Sequence, residues 1–322
     1  MKPIASLSLD LDNQWSYMKT HGDAGWEEFP SYLDTVVPRA LDFFHDRDLN
    51  LTFFVVGQDA ALERNHDSIA SIAAAGHEIG NHSFKHEPWL HLYSKGELID
   101  EFQKTEDAIE HVTGRRTVGF RGPGFSLSPT VLEVLAERRY VYDCSTLPTY
   151  VAPLARAYYF FNSPVMSDEE REKRKKLFGK FSDGFQTLSP YIRDVSGREL
   201  VEIPVTTLPI IKTPIHASYV LYLATFSPLM AKVYWRTAMA MCSVAGLGPS
   251  LLIHPLDLLC EVDAPVLRFF PGMGLPIECK LEFLSWILDE FAARFNVVNM
   301  IDHANSVRNR LSASDHISEA VV

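Results

Sequence analysis

Short apolar runs rich in β-branched or aromatic residues recur along the chain, and amphipathic stretches separate most of them. This alternation is typical of repeated βα units around a parallel sheet. Predicted strands cover residues 4–10, 51–57, 77–83, 117–121, 140–145, 200–206, 250–254 and 297–301. Predicted helices cover residues 32–46, 64–75, 95–113, 129–139 and 280–295. The pattern therefore predicts an α/β protein with about eight parallel strands.

Two segments depart from this alternation. Residues 149–198 hold many aromatic side chains and a run of mixed charge at 168–176, so we interpret them as an insertion that forms a helical and aromatic lid. Residues 217–231 are apolar apart from hydroxyl side chains and Pro228. They are shorter than the ~20 residues that cross a bilayer, so they predict a buried helix or a hydrophobic lid and no transmembrane segment.

Composition limits the class of protein further. With 322 residues, 47% of them hydrophobic and 22% charged, the chain can bury the core of one large domain, which we place at residues 1–322. A net charge of −11 without a basic stripe argues against a nucleic-acid partner, because binding phosphates requires clustered Lys and Arg. The four cysteines stand far apart, which argues against a zinc knuckle or a dithiol motif. The N-terminal segment reaches Asp10 without a long apolar stretch, so we expect no signal peptide and a cytoplasmic location.

Polar residues mark the ends of several predicted strands, where parallel α/β barrels carry their active sites. Asp10 and Asp12 alternate with leucines, so both carboxylates are expected on one side of the first strand. One could bind a cation while the other acts as a base. Capping of the next helix is the alternative interpretation of this pair.

His82 and His86 follow the third predicted strand and are four residues apart. This spacing is one helical turn, so a single turn there would direct both imidazoles at one ion. A catalytic zinc typically has three protein ligands and one open position, and Asp12 is the expected third ligand. Cobalt, nickel or iron would fit the same donor set.

Arg121 and His254 also lie at predicted strand ends. Arg121 precedes a Gly-Pro-Gly turn that can bring backbone N–H groups near a ligand, and its guanidinium can hold a carboxylate or bind turn carbonyls. His254 ends an apolar run before Pro255, where an imidazole suits general acid catalysis, although a packed core residue is the simpler alternative. Asp143, at another strand end, could orient a catalytic group.

These motifs, in this order, resemble those of the polysaccharide deacetylase family with the NodB homology domain, also called carbohydrate esterase family 4. The similarity runs from residue 7 to about 146 and returns at 200–204 and 251–255. It implies a distorted (β/α) barrel of about seven to eight parallel strands. It also implies a role for each site residue: Asp10 is the base, Asp12, His82 and His86 hold the metal, Arg121 steadies the base and His254 is the acid.

Two departures from the family pattern narrow the expected substrate. The usual adjacent Asp-Asp pair is here Asp10-Leu11-Asp12, a spacing similar to that of intracellular peptidoglycan-deacetylase-like and allantoinase-like members. The tryptophan-containing fourth motif is replaced by residues 201–204. We therefore expect a metal-dependent hydrolase that removes an N-acyl group from an amino sugar or a glycoconjugate, with a lipid-linked sugar as one candidate. A hydrolase of cyclic amides or ureides, and a sugar-binding protein without catalysis, remain alternatives, and a homo-oligomer remains open.

Overall fold

The computed structural model describes residues 2–151 and 181–319. Within them, the strands are β1 Ile4–Leu11, β2 Thr52–Val55, β3 Glu78–Asn81, β4 Gly119–Phe120, β5 Tyr142–Asp143, β6 Tyr191–Val195, β7 Arg198–Glu202, β8 Ser250–Ile253 and β9 Asn296–Val298. The α-helices are α1 Gln14–His21, α2 Leu33–His45, α3 Gly57–Ala60, α4 His66–Ala74, α5 Lys95–Thr113, α6 Pro129–Glu137, α7 Ala217–Phe226, α8 Pro228–Val244, α9 Ile277–Arg294 and α10 Met300–Glu319.

The described strands form one sheet in the order β6-β7-β5-β4-β3-β2-β1-β8, and β9 also pairs with β1. Every pair of neighbours is parallel except β6 and β7, which are antiparallel. The sheet curls into a half-barrel, and a 3.2 Å hydrogen bond from Thr206 N to Ser250 O links the chain beyond β7 to β8. The predicted α/β barrel of parallel strands is confirmed.

The segment predicted as an insertion is only partly described. Strand β6 lies within residues 149–198, so this end of the segment belongs to the edge of the sheet. The aromatic run at 158–161 and the charged run at 168–176 lie outside the described residues.

The apolar stretch at 217–231 forms parts of two helices. Ser227 separates α7 from α8, its side chain accepts a hydrogen bond from Met230 N, and Pro228 occupies the first position of α8. Leu229 and Met230 are 72% and 69% exposed, so a buried helix is the wrong description of this corner. Among the described residues, the helices are too short or too polar to cross a membrane.

The two faces of β1 differ in chemistry, as its alternating pattern predicts. Leu7, Leu9 and Leu11 pack in the main hydrophobic core, which includes side chains of α2 and α9. Ser6 and Ser8 bind polar partners on other elements. Helix α10 contacts β1, which is next to the β8 end of the sheet, and also β6 and β7 at the other end, so it bridges the two ends of the curled sheet. The first strand thus presents hydrogen-bonding groups to the interior of the curled sheet, including the groups that build the site.

Candidate metal centre and active site

The two carboxylates at the end of β1 occupy different environments. Asp10 is the last acidic residue within the strand, and Asp12 is the first residue after it. Both side chains are buried. Asp10 Oδ1 lies 2.6 Å from Arg121 Nη1, which also donates to Ser8 Oγ at 2.8 Å. The structure thus brings Asp10 and Arg121 together, and their roles as base and base partner stay predictions.

Asp12, His82 and His86 bring their side chains together. Asp12 Oδ1 lies 3.2 Å from His82 Nε2 and 2.9 Å from His86 Nε2. The three ligand atoms all lie within 4.8 Å of one another. Each side chain is at least partly buried, so the group is partly shielded from solvent.

The hydrogen bonding of His82 shows that this trio fits a cation. His82 Nδ1 lies 2.7 Å from the carbonyl oxygen of Arg121, which can only accept, so Nδ1 carries the proton. In the neutral ring Nε2 then presents a lone pair to Asp12 Oδ1, a buried atom without a hydrogen-bond partner among the described residues. Two such acceptors face each other stably when a cation or a proton lies between them. The donor set of two imidazoles and one carboxylate suits a divalent metal ion, and the His82 contact is the outer-shell bond that orients such ligands.

The surrounding charges also favour the ionised forms of His82 and Asp12. Burial alone would lower the pKa of His82, but the carboxylates of Asp10 and Asp12 raise it overall. Burial would raise the pKa of Asp12, but His86 and His82 hold it well below its usual value. A positive charge is therefore favoured at this point of the molecule.

The loop that carries the two histidines is not the helical turn that their spacing predicted. Ser83 and His86 have φ values of 61° and 51°, in the left-handed region that non-glycine residues seldom occupy. Hydrogen bonds hold this conformation: Asn81 Oδ1 accepts from Ser83 N at 2.7 Å, and Glu101 Oε1 accepts from Lys85 N at 2.7 Å. The loop directs both imidazoles toward Asp12 without helical geometry.

Arg121 is fully buried and makes several specific contacts. Its Nε donates to Cys144 O at 3.2 Å, and its guanidinium lies 4.5 Å from the centre of the Phe54 ring. Burial opposes the positive charge, but the nearby Asp10 carboxylate raises the pKa of Arg121 above its ordinary value. The side chain therefore remains a cation beside Asp10, and it also satisfies a backbone carbonyl, so both sequence interpretations of this residue apply.

Asp143 supports the Arg121 turn from the end of β5. Its Oδ1 accepts from Ser145 Oγ at 2.6 Å, and Ser145 Oγ in turn accepts from Gly122 N at 2.8 Å. Because Gly122 N is used in this way, it is not free to bind a ligand. Burial raises the pKa of both Asp143 and its neighbour Glu202, so the two carboxyls retain a proton more readily than free ones.

His254 lies beside the first strand. Ile253 of β8 pairs with Leu9 of β1, so continuing the parallel register places His254 next to Asp10. The structure therefore brings His254 to the same end of the sheet as Asp10, and its role as the acid stays a prediction.

A polar pair that the sequence analysis did not identify orients His254. Ser218 Oγ donates to Asp257 Oδ2 at 2.9 Å and lies 3.0 Å from His254 Nδ1. Its oxygen therefore accepts from Nδ1–H, which leaves Nε2 of His254 for a ligand. Burial and the adjacent His254 lower the pKa of His216 to about 3, so this second imidazole is neutral. Asp257 could have been found from its three-residue spacing to His254, but Ser218 is too distant in sequence.

Fold and site together define a parallel α/β protein with a buried Asp-His-His group at the carboxyl ends of its strands. Residues 22–142 match the family model for polysaccharide deacetylases. A peptidoglycan deacetylase from Helicobacter pylori is 28% identical over 208 residues, which are 62% of this chain and 64% of that protein. A chitin deacetylase from Colletotrichum lindemuthianum is 33% identical over 95 residues, 29% of this chain and 38% of that protein. The chain thus aligns with less than two thirds of the length of either relative.

Solved structures show the same fold over nearly the whole chain. A protein from Mycobacterium smegmatis assigned to the polysaccharide deacetylases superimposes with a TM-score of 0.62 at 20% identity, covering 96% of this chain and 92% of its own. The allantoinase Puue superimposes with a TM-score of 0.55 at 17% identity, covering 94% and 90%. The match of residues 22–142 and the two deacetylase relatives confirm the resemblance to the polysaccharide deacetylase family that the motifs predicted, and the solved structures confirm the fold.

Proposed function

We propose that this protein is a metal-dependent amide hydrolase that removes an N-acyl group, most simply acetyl, from an amino sugar or glycoconjugate. The observation that carries the proposal is the convergence of Asp12, His82 and His86 on one point beside the Asp10–Arg121 pair. The names of the relatives agree, since those proteins are described as deacetylases of peptidoglycan and chitin. A cytoplasmic location and a lipid-linked substrate stay predictions from the sequence.

Asp12, His82 and His86 would hold a divalent cation, with zinc the first choice and cobalt, nickel or iron compatible. When bound, such an ion supplies Lewis acidity toward a substrate carbonyl and toward a water molecule. The backbone oxygen of Arg121 fixes the ring of His82 so that Nε2 faces this position. The protein therefore presents three donors in a prearranged geometry.

Asp10 is the general base of the proposed reaction. Its carboxylate is held by Arg121 Nη1 at 2.6 Å, so one oxygen is oriented while the group keeps the capacity to take a proton from the attacking water. Arg121 is buried and positively charged, and its guanidinium lies directly against the Asp10 carboxylate. The pair leaves neither charge unpaired inside the protein.

His254 is the general acid on the neighbouring strand end. The Ser218 hydroxyl accepts from Nδ1, and Asp257 holds that hydroxyl in place. A proton on Nε2 would then be directed at the departing amine nitrogen. Proton delivery is needed because an unprotonated amine anion is a poor leaving group.

The test is an assay of amine release by the metal-loaded protein over a panel of N-acetylated and N-formylated amino sugars, lipid-linked forms of the same sugars, and cyclic ureides including allantoin. We expect turnover of the acylated sugars and none of the ureides. Turnover of ureides alone would replace the proposed function with the cyclic-amide alternative. Absence of turnover from folded protein loaded with metal would favour the sugar-binding alternative.

A further inference from the structure

Tyr17 carries a buried phenolic hydroxyl on the helix that follows Asp12. Helix α1 begins two residues after Asp12, and Tyr17 lies on it with its ring edge-on to Phe270, at 5.4 Å between ring centres. The hydroxyl oxygen is buried and has no hydrogen-bond partner among the residues that the structure describes. A buried tyrosine usually finds a partner for its O–H, so this donor stands out.

Carboxylates from both halves of the site act on the Tyr17 hydroxyl. Burial raises the pKa of Tyr17 well above its ordinary value, and the charges of Asp12, Tyr32, Asp257 and Asp10 raise it further. Asp12 belongs to the metal trio, whereas Asp257 supports the acid histidine. The phenol is therefore a neutral O–H group throughout the range in which the protein would work.

Other buried tyrosines among the described residues show that a missing partner is not general here. Tyr32 donates to the backbone oxygen of Asp12 at 2.5 Å, and Tyr142 donates to Glu78 at 2.8 Å. Tyr140 binds Glu106 at 2.9 Å. Of these four hydroxyls, that of Tyr17 is the one left available to a ligand.

The proposed reaction has a use for one more donor. Attack on an amide carbonyl places negative charge on the acyl oxygen, and a preorganised donor aimed at that oxygen lowers the barrier. The backbone N–H of Gly122, a donor suggested by the glycine-rich turn, is already bound to Ser145. The unpartnered hydroxyl of Tyr17, on the helix that follows Asp12, is a candidate for the role that this N–H does not fill.

Building on the proposed function, we propose that the Tyr17 hydroxyl donates a hydrogen bond to the acyl oxygen of the substrate and strengthens that bond as negative charge develops during attack. The proton stays on Tyr17, so no covalent bond forms or breaks at this residue. Asp10 and His254 still carry all proton transfers. Tyr17 is then a catalytic residue that acts by binding charge.

Tyr17→Phe tests the proposal because it removes the oxygen and keeps the ring that packs on Phe270. We expect kcat to fall by roughly 10²–10³-fold with KM changed little, since the bond is stronger in the transition state than in the bound substrate. Zinc content and thermal stability should match the wild type. Tyr191→Phe, which removes a hydroxyl from the edge strand β6, is the matched control and should keep full activity.

A second readout distinguishes charge stabilisation from a structural role. The loss in Tyr17→Phe should be smaller for an N-trifluoroacetyl sugar than for the N-acetyl sugar, because the fluorinated oxyanion is less basic and depends less on a donor. An equal loss on both substrates, or no loss on either, would overturn the proposal.

Normal sugar turnover by Tyr17→Phe refutes the role of Tyr17 alone. If only ureides are hydrolysed and Tyr17→Phe is impaired on them, the proposed sugar substrate fails and the role of Tyr17 stands; no turnover by wild-type protein refutes both.

Discussion

Arg121 contacts both Asp10 and His82, the first through its side chain and the second through its backbone oxygen. Its guanidinium donates to Asp10 at 2.6 Å, while its backbone oxygen lies 2.7 Å from His82 Nδ1. The same residue therefore orients both Asp10, the proposed base, and His82, a proposed metal ligand. The support from Ser145 and Asp143 keeps the turn after Arg121 fixed, so the alignment depends on the end of β5 as well.

Asp10→Asn should remove the base with little change in shape. The amide can still accept a hydrogen bond from Arg121, but it cannot take a proton from water. We expect kcat to fall by at least about 10²–10⁴-fold while zinc content is retained. Steady-state kinetics and metal analysis of the same preparation measure both quantities. Full activity in this variant would exclude Asp10 as the base.

His254→Gln should remove the acid, with an effect that depends on the leaving group. For an N-acetyl sugar the expected loss is on the order of 10²–10⁴-fold, because the amine needs a proton to depart. An acetyl ester of p-nitrophenol releases a stable anion, so its hydrolysis should be much less impaired. Equal losses on the amide and the ester would contradict the assignment of His254 as the acid.

At the scale of elements, the close contact between β4 and β5 leaves no space for a side chain at Gly119. A Cβ added to Gly119 would lie 1.9 Å from Cζ of the buried Tyr142 ring. Glycine is therefore required for the two strands to pair closely enough to place Arg121 directly after β4. The position of Arg121, which contacts Asp10, therefore depends on the close approach of β4 to β5 at Gly119.

Gly119→Ala should destabilise the protein by about 1–3 kcal/mol, because the ring of Tyr142 has no free space to move into. Gly96→Ala is a matched control in α5, where an added Cβ meets nothing within 4 Å. That change should be neutral or should stabilise the helix by roughly 0.5–1 kcal/mol. Urea unfolding of the three proteins compares them; equal stability of Gly119→Ala and wild type would refute the packing argument.

The sequence predicted the elements whose hydrophobic pattern is strong. The eight parallel strands and the main helices follow the apolar runs, although several strands are shorter than expected, as at β4 and β5. Strand β6 was missed because its polar residues lie at the sheet edge, inside a segment with mixed charge. Helices α1 and α10 were missed because their sequences lack a clear apolar stripe.

The site was more predictable than the loops that build it. Strand ends converge in parallel sheets, so Asp12, His82 and His86 could be grouped from sequence position alone. The four-residue spacing of the histidines also fits a loop with two left-handed residues, and no glycine marks it. Ser218 contacts His254 through tertiary packing, which no local pattern reports.

At the scale of the whole molecule, Asp59 makes stability depend on pH. Burial raises the pKa of Asp59 from 3.8 to about 7, although hydrogen bonds from Asn13 and Trp15 oppose the change. The folded protein therefore keeps this proton where the unfolded chain has released it. Its contribution to stability is complete below about pH 4 and is lost as the pH rises through about 7.

Asp59→Asn should remove this dependence, because asparagine keeps an acceptor for Asn13 and Trp15 without titrating. The difference in unfolding free energy between variant and wild type should shift in favour of the variant between pH 4 and pH 8. Urea unfolding of both proteins, stripped of metal, at pH 4, 5.5 and 8 measures it. Taking the difference between the two unfolding free energies cancels the titration of the other groups. If that difference is constant with pH, Asp59 is ionised in the folded state throughout this range.

A bound ion should stabilise the folded molecule because the three ligands converge only when the chain is folded. An ion present at 1,000 times its Kd would add about 4 kcal/mol to the free energy of unfolding. Thermal melting with and without zinc reports this effect independently of turnover.

The most direct test of the metal site is zinc content and thermal stability in three proteins: wild type, a His82→Ala, His86→Ala double variant, and a His66→Ala, His111→Ala control. The control removes two histidines that do not belong to the Asp12–His82–His86 group. Their ring centres lie 5.8 Å apart. We expect about one zinc per chain and a zinc-dependent rise in melting temperature for wild type and control, and neither for the site variant. Equal zinc content and an equal rise in all three would contradict the assignment of Asp12, His82 and His86 as the metal centre.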